Sequence, residues 1–597
     1  MFYFYVKRAK IVADVFLYLI MCLPSPTFRK QYFLLICNLS YVSCKVFIFP
    51  KVILTIFGSV VFTTSKAPGF LAIFAEFFRF YLLWQTWLEK LYSFMQDLKE
   101  IILLLLQHGI QPFKGADSKS KLLAFWDGIA KGKFSTDEAA AKALYDESFE
   151  GSKYRKLKSD LRERLLDAVL EIDGNQKSYS DYQRAYYECH KQWAVVRILT
   201  GQNANGAALS VATRLLRQAE KYDFTLLAMD IASYLRTQYG LRESNDKKFR
   251  EAHEVFERHR KTYDAENQAE ALYTTLIVRY VNNRSAQTDV SRLATEYWEQ
   301  IHPFMEEHAT YKLQMYGYMI GLMRHTAANE HAKALMDCNE AIQFFNCRDY
   351  EPRVPLQIFY YQRLICNIQL RQFEEGQASA DYCLKIMQEG TFNWFKYREL
   401  YLQLSLHTGE FNRAADLLHE TLHHARFEFL PENVKEIWRI YEAFVQYLVL
   451  TGKADGKANK QKFKLAKFIN DTPIFSKDKS GINIAIIVVK LLLMLQERRF
   501  SQILDDVEAI EQYCYRHLRG DNAQRSYFFL KMLLHIPTSG FDPVQSVTKA
   551  ERYLQKLKET PLQIANQTHE IEVIPYEMLW DIAVESLAAA KKSAIAA

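Results

Sequence analysis

Leu404 to Leu422 reads LSLHTGEFNRAADLLHETL, and the fold turns on how this stretch is read. Gly409 interrupts one helical pattern, Phe411 opens a second, and Ala414 and Thr421 follow that phenylalanine by three and ten positions. An aromatic at the start of the second helix plugs the angle of a tight turn. Small residues at those two offsets let this helix lie close against its partner and against the next pair. Two upstream stretches repeat the offsets. HTAANEHAKALMDCNEAI (325–342) supplies His331, Ala334, Ala341 and Ile342, and NIQLRQFEEGQASADYCL (367–384) supplies Phe373, Gly376, Cys383 and Leu384.

The surrounding chain agrees with a helical reading. Only 21 Gly and 14 Pro occur in 597 residues, about half the usual share for globular proteins. Between them run AALSVATRLLRQAEKY, TLLAMDIASYLRTQY, AEALYTTLIVRYV and YKLQMYGYMIGLMRH, all amphipathic at helical spacing. No alternating apolar run bounded by hairpin turns suggests a strand. Further upstream, Ser135 or Thr136 caps STDEAAAKALYDE, and Leu157, Leu161, Leu165 and Val169 form one stripe of a basic helix. Lys153, Arg155, Lys156, Lys158, Arg162 and Arg164 fall opposite, interleaved with Asp160, Glu163 and Asp167, as on a solvated face. The expected fold class is all-α. The expected segments are a hydrophobic, aromatic-rich stretch 1–94, a helical domain 95–200, helical hairpins 201–330 and a repeat region 331–597.

The turn–aromatic–small pattern resembles the tetratricopeptide repeat across roughly 310–511, most closely at 409–422. That resemblance implies helix-turn-helix units stacked as a superhelical array whose first helices line a groove for a partner's peptide or helix. It points to Tyr316, Tyr361, Lys396 and Gln403 as partner-binding residues and to no cofactor. Departures are clear. His331 to Phe373 is 42 residues and Phe373 to Phe411 is 38, against about 34 in the family, and the consensus Trp and Pro are missing. A fourth unit keeps Thr451-Gly452 and Phe463-x-x-Ala466 with an insertion between them; a fifth carries Ile503 and Ile510 where small residues belong. The aromatic clusters TFNWFKYRELYLQL and QIFYYQRLI fall on first helices and read mainly as core between units.

Charge and cysteine narrow the function. The net charge of +7 lies wholly in residues 1–94, which hold 10 Lys+Arg and 3 Asp+Glu and leave 66 of each sign beyond. From Met95 onward nothing pulls the chain toward a polyanion, so nucleic acid is not the expected partner. Cys189, Cys338, Cys347, Cys366, Cys383 and Cys514 show no Cys-x-x-Cys or disulfide-framework spacing, as expected of reduced thiols in the cytoplasm. Residues 1–94 carry 24 of the 84 aromatics, yet their longest uncharged windows are 14 residues, shorter than the ~20 of a spanning helix. Three readings stay open for this stretch: a signal peptide, membrane association or a natural start at Met95.

One motif suggests catalysis. His419-Glu420-Thr421-Leu422-His423 has the spacing of a zinc peptidase, with Glu432, Glu436 or Glu442 as conceivable third ligands. On a helical wheel, however, Ala414, Leu417, Leu418, Leu422 and Ala425 form the buried stripe and both imidazoles face away. The loop GKADGKANKQKFKLAK holds Lys453, Lys457, Lys460, Lys462, Lys464 and Lys467 but lacks phosphate-loop spacing. The expectation is a non-enzymatic cytoplasmic scaffold that binds another protein or peptide. A zinc peptidase and a membrane-tethered adaptor are the alternatives.

Overall fold

The computed structural model describes residues 95–113, 120–176, 179–282, 287–455, 482–518, 523–560, 562 and 572–596. Residues 1–94, most of the lysine-rich loop and the Phe463-x-x-Ala466 signature lie outside them. The described residues are helical with no strand, as the sequence leads one to expect. Two compact units divide between Asp173 and Gly174.

The first unit holds α1 (residues 95–107), α2 (Lys121–Ala130), α3 (Asp137–Tyr145) and α4 (Ser152–Val169). Thr136 caps α3 by accepting from the Ala139 N–H. Leu98, Ile102, Phe125, Leu157, Leu161 and Leu165 belong to a core drawn entirely from this unit. Lys158 departs from its expected place on the solvated face of α4. Its ammonium is buried and donates to both oxygens of Asp137 at 2.6 and 2.8 Å, and the Tyr154 hydroxyl donates to the same carboxylate. The helical wheel could not show this because Asp137 comes from another helix.

The second unit opens with α5 (Asp181–Gly201), whose Ser180 and Gln183 form a reciprocal capping box. Next come α6 (Asn205–Lys221), α7 (Thr225–Leu241), α8 (Asp246–Asn282) and α9 (Gln287–Glu307). The middle of the unit holds α10 (Tyr311–Thr326), α11 (His331–Asn346), α12 (Arg353–Leu370), α13 (Phe373–Ile386), α14 (Phe392–Thr408) and α15 (Phe411–Leu422). It closes with α16 (Glu432–Leu450), α17 (Ile482–Gln496), α18 (Phe500–His517), α19 (Gln524–Thr538), α20 (Pro543–Glu559) and α21 (Tyr576–Ala596).

One turn recurs through this unit. Asn203, Asp223, Asn329, Arg371, Gly409, Arg498 and Phe541 have φ between 56° and 86°, and each stands two residues before a new helix. After five of them the next N–H reaches back five positions: Ala204 to Leu199, Phe224 to Ala219, Glu330 to His325, Gln372 to Asn367 and Arg499 to Met494. Such a bond satisfies a carbonyl that the helix end leaves free. Three residues into each following helix, Ala208, Ala228, Ala334, Gly376, Ala414, Ile503 and Ser546 are all buried. Gly376 shows why the position favours small residues, since a Cβ there would lie 2.7 Å from a methyl of Leu404. Helices pack chiefly on the next one or two in sequence; α21 also packs on α17, and Tyr182 of α5 stacks on Tyr311 of α10 at 4.6 Å.

Candidate functional site

Lys396, Glu399 and Gln403 are spaced i, i+3, i+7 and so share one stripe of α14. Glu399 is almost fully buried and accepts from the Lys396 ammonium at 2.6 Å, whose charged end remains partly exposed. Gln403 is 3% exposed, and its amide donates to the Tyr441 hydroxyl of α16, which also reaches Glu399. On the other side, Tyr361 of α12 meets Tyr397 of α14 edge to face at 5.5 Å. Burial, and next the charge of Glu399, raise the Tyr361 pKa, so its hydroxyl stays protonated at neutral pH. Helices α12, α14 and α16 thus join through one ladder, aromatic between the first two and polar between the last two.

Of the four residues expected to bind a partner, the structure brings Tyr361, Lys396 and Gln403 to this ladder. Gln403 lies beneath it rather than on its surface. Tyr316 sits elsewhere, on α10, where its hydroxyl donates to Glu270 and its ring lies 5.7 Å from Tyr273 of α8. Lys312 pairs with the same Glu270 at 2.7 Å.

The His-Glu-x-x-His stretch occupies the last turn of α15, and His423 is already the cap. Both imidazoles are exposed, as the wheel indicates, with ring centroids 4.1 Å apart. His423 Nδ1 lies 2.9 Å from the His419 carbonyl; a carbonyl can only accept, so this nitrogen carries the proton. Glu420, the residue a peptidase would use as base, instead pairs with the buried Arg398 of α14 at 2.7 Å. Glu432 pairs with Arg439 at 2.9 Å and Lys435 at 3.4 Å. The wheel was wrong at Ala425, which lies beyond the helix and is exposed; the buried stripe is Ala414, Ala415, Leu417, Leu418 and Thr421. Lys453, the lysine of the basic loop that lies among the described residues, pairs with Glu585.

A second cluster escaped the sequence reading. Cys338 of α11 and Cys366 of α12 are both 0% exposed and share one small core with Ala334 and Leu322. His331 opens α11 seven residues before Cys338 and is also buried, yet neither ring nitrogen has a well-formed hydrogen bond. Asn367 next to Cys366 likewise holds buried amide atoms without hydrogen bonds, and Asp337 next to Cys338 has only loose ion-pair contacts, 3.8 Å from Arg324 and from His325. The interaction with Cys338 chiefly, and then that with His331, lowers the Cys366 thiol below the ordinary cysteine value although burial opposes it. Cys338 moves the other way, chiefly through the same interaction and burial. The signal is present as His331-x6-Cys338, but the hairpin pattern takes His331 as part of a turn and Cys338 reads only as one of six scattered reduced thiols.

Comparison with protein-family models, with curated proteins and with solved structures gives no match. Among the described residues, no group of three or more His, Cys, Asp or Glu side chains is placed to hold a metal ion. None of the described helices is long and apolar enough to cross a membrane.

Proposed function

We propose that residues 181–596 are a helical-repeat scaffold of the tetratricopeptide-like kind, which binds a segment of another protein and carries out no chemistry of its own. The observation that supports this is the recurrence, before seven helices, of one turn with a left-handed residue two positions ahead of the helix and a buried residue three positions into it. Nearest-neighbour packing of successive helices is how solenoids are built, and their use is to present an extended surface. The partner contacts Tyr361 and Lys396 at the accessible edge of the ladder, with Tyr316 engaged upstream and Gln403 holding Tyr441 in place below. The aromatic ring supplies contact area and the ammonium supplies orientation. A cytoplasmic setting suits the six free thiols of the described residues.

The test places a photo-reactive amino acid at position 361 or 396 in the host cell, with Asn412, exposed on α15, as the control position. One protein crosslinked from both test positions, and lost with Lys396→Glu, is the expected result. Crosslinks no stronger than at position 412 would reject this surface.

A further inference from the structure

Three buried side chains of α11 and α12 carry polar atoms with no well-formed hydrogen bond: His331, Asp337 and Asn367. Such groups are normally satisfied, and an exception calls for a chemical reason. Here they adjoin two thiols, Asp337 preceding Cys338 and Asn367 following Cys366. Cys366 shares one buried core with Cys338, and its thiol interacts with Cys338 and with His331. Those two are seven residues apart on α11, two turns or ~10 Å of rise, so Cys366 lies between a base on one side and a second thiol on the other. This separation also explains why the three donors do not close on one metal ion.

We propose that Cys338 and Cys366 are an oxidation site, converted by a hydroperoxide to an intrachain disulfide with His331 as base. His331 takes the Cys366 proton, and the thiolate attacks one peroxide oxygen. The O–O bond breaks, and the departing hydroxide receives the proton from the imidazolium and leaves as water. Cys366 is then a sulfenic acid. The Cys338 sulfur attacks the Cys366 sulfur; the S–O bond breaks, and hydroxide leaves with the Cys338 proton as a second water. In sum, two thiols lose two electrons and one peroxide becomes two waters. The product ties α11 to α12, the second helix of one hairpin to the first of the next.

The experiment treats the full chain with hydrogen peroxide at about pH 7, blocks free thiols under denaturing conditions and maps peptides by mass spectrometry without reduction. The expected product links the Cys338 and Cys366 peptides with loss of two hydrogens. In Cys338→Ser, dimedone should trap a sulfenic acid at Cys366. His331→Gln should slow that labelling at least about tenfold near neutral pH and shift its rise to higher pH, as loss of a base requires. Cys338 and Cys366 both remaining reduced while the exposed Cys347 is oxidised would overturn the proposal. So would a sulfinic acid at Cys366 without linkage, or a disulfide to any other cysteine. The wild-type map stands even if a variant fails to fold, and Cys338→Ala with a melting curve separates packing loss from chemistry.

Discussion

His407 shows how one buried side chain governs pH behaviour. Its Nε2–H donates to the Glu572 carbonyl at 2.7 Å, and burial pushes its pKa down to about 4. A folded-state pKa below the unfolded value means the stability is present above about 6.5 and is lost as pH falls toward the folded value, on the order of 3 kcal/mol in all. Urea unfolding from neutral pH down to about 4 should show that loss, and His407→Gln should flatten it. Gly376→Ala should cost about 1–3 kcal/mol by the same measurement, because the added methyl forces Leu404 to move. At α15, His419→Ala with His423→Ala should leave stability within about 0.5 kcal/mol, as exposed positions do. Zinc analysis of both proteins decides the peptidase alternative: stoichiometric metal that vanishes in the variant would revive it.

At the scale of elements, the hairpins from 331 to 422 could be read from the chain because their spacing and small residues are local properties. The same turn extends to α6, α7 and α20, where the sequence reading had not placed it. Asn203, Asp223 and Phe541 hold the left-handed conformation there, and an Asn, an Asp or a Phe does not announce that conformation as Gly409 does. Helix α14 marks another limit. Thirteen of its residues are buried on every face, so its pattern carries no stripe to read. The C-terminal elements meet at Arg525 of α19, which donates to Glu572 and Glu577 at 2.9 Å and to the Leu557 and Thr560 carbonyls. Arg525→Met leaves two carboxylates without their cation, one of them with a side chain only 6% exposed, and should cost about 3–5 kcal/mol. A fall in the thermal midpoint measures it; an unchanged midpoint would show the network to be redundant.

At the scale of the whole molecule, each unit draws its core from its own residues: 95–172 in the first, and residues beyond Gly174 in the second. A chain limited to residues 174–597 should therefore keep full helicity per residue by far-UV circular dichroism; a largely unfolded product would show that the second unit depends on the first. Because its helices pack chiefly on near neighbours, unfolding of this unit followed by tryptophan fluorescence and by circular dichroism should give midpoints that do not coincide.

The sequence by itself determined the all-helical class, the turn at Gly409, the small residues packed behind it and the outward-facing histidines of α15. Each depends on residues within about a dozen positions of one another, where helical periodicity alone settles the geometry. Tertiary structure alone decided that Lys158 is buried on Asp137, that Gln403 lies under Tyr441, that Glu420 is taken by Arg398 and that Cys366 meets both Cys338 and His331. In each case the partner comes from a different helix, and which partner a side chain meets depends on how helices cross rather than on spacing along either one.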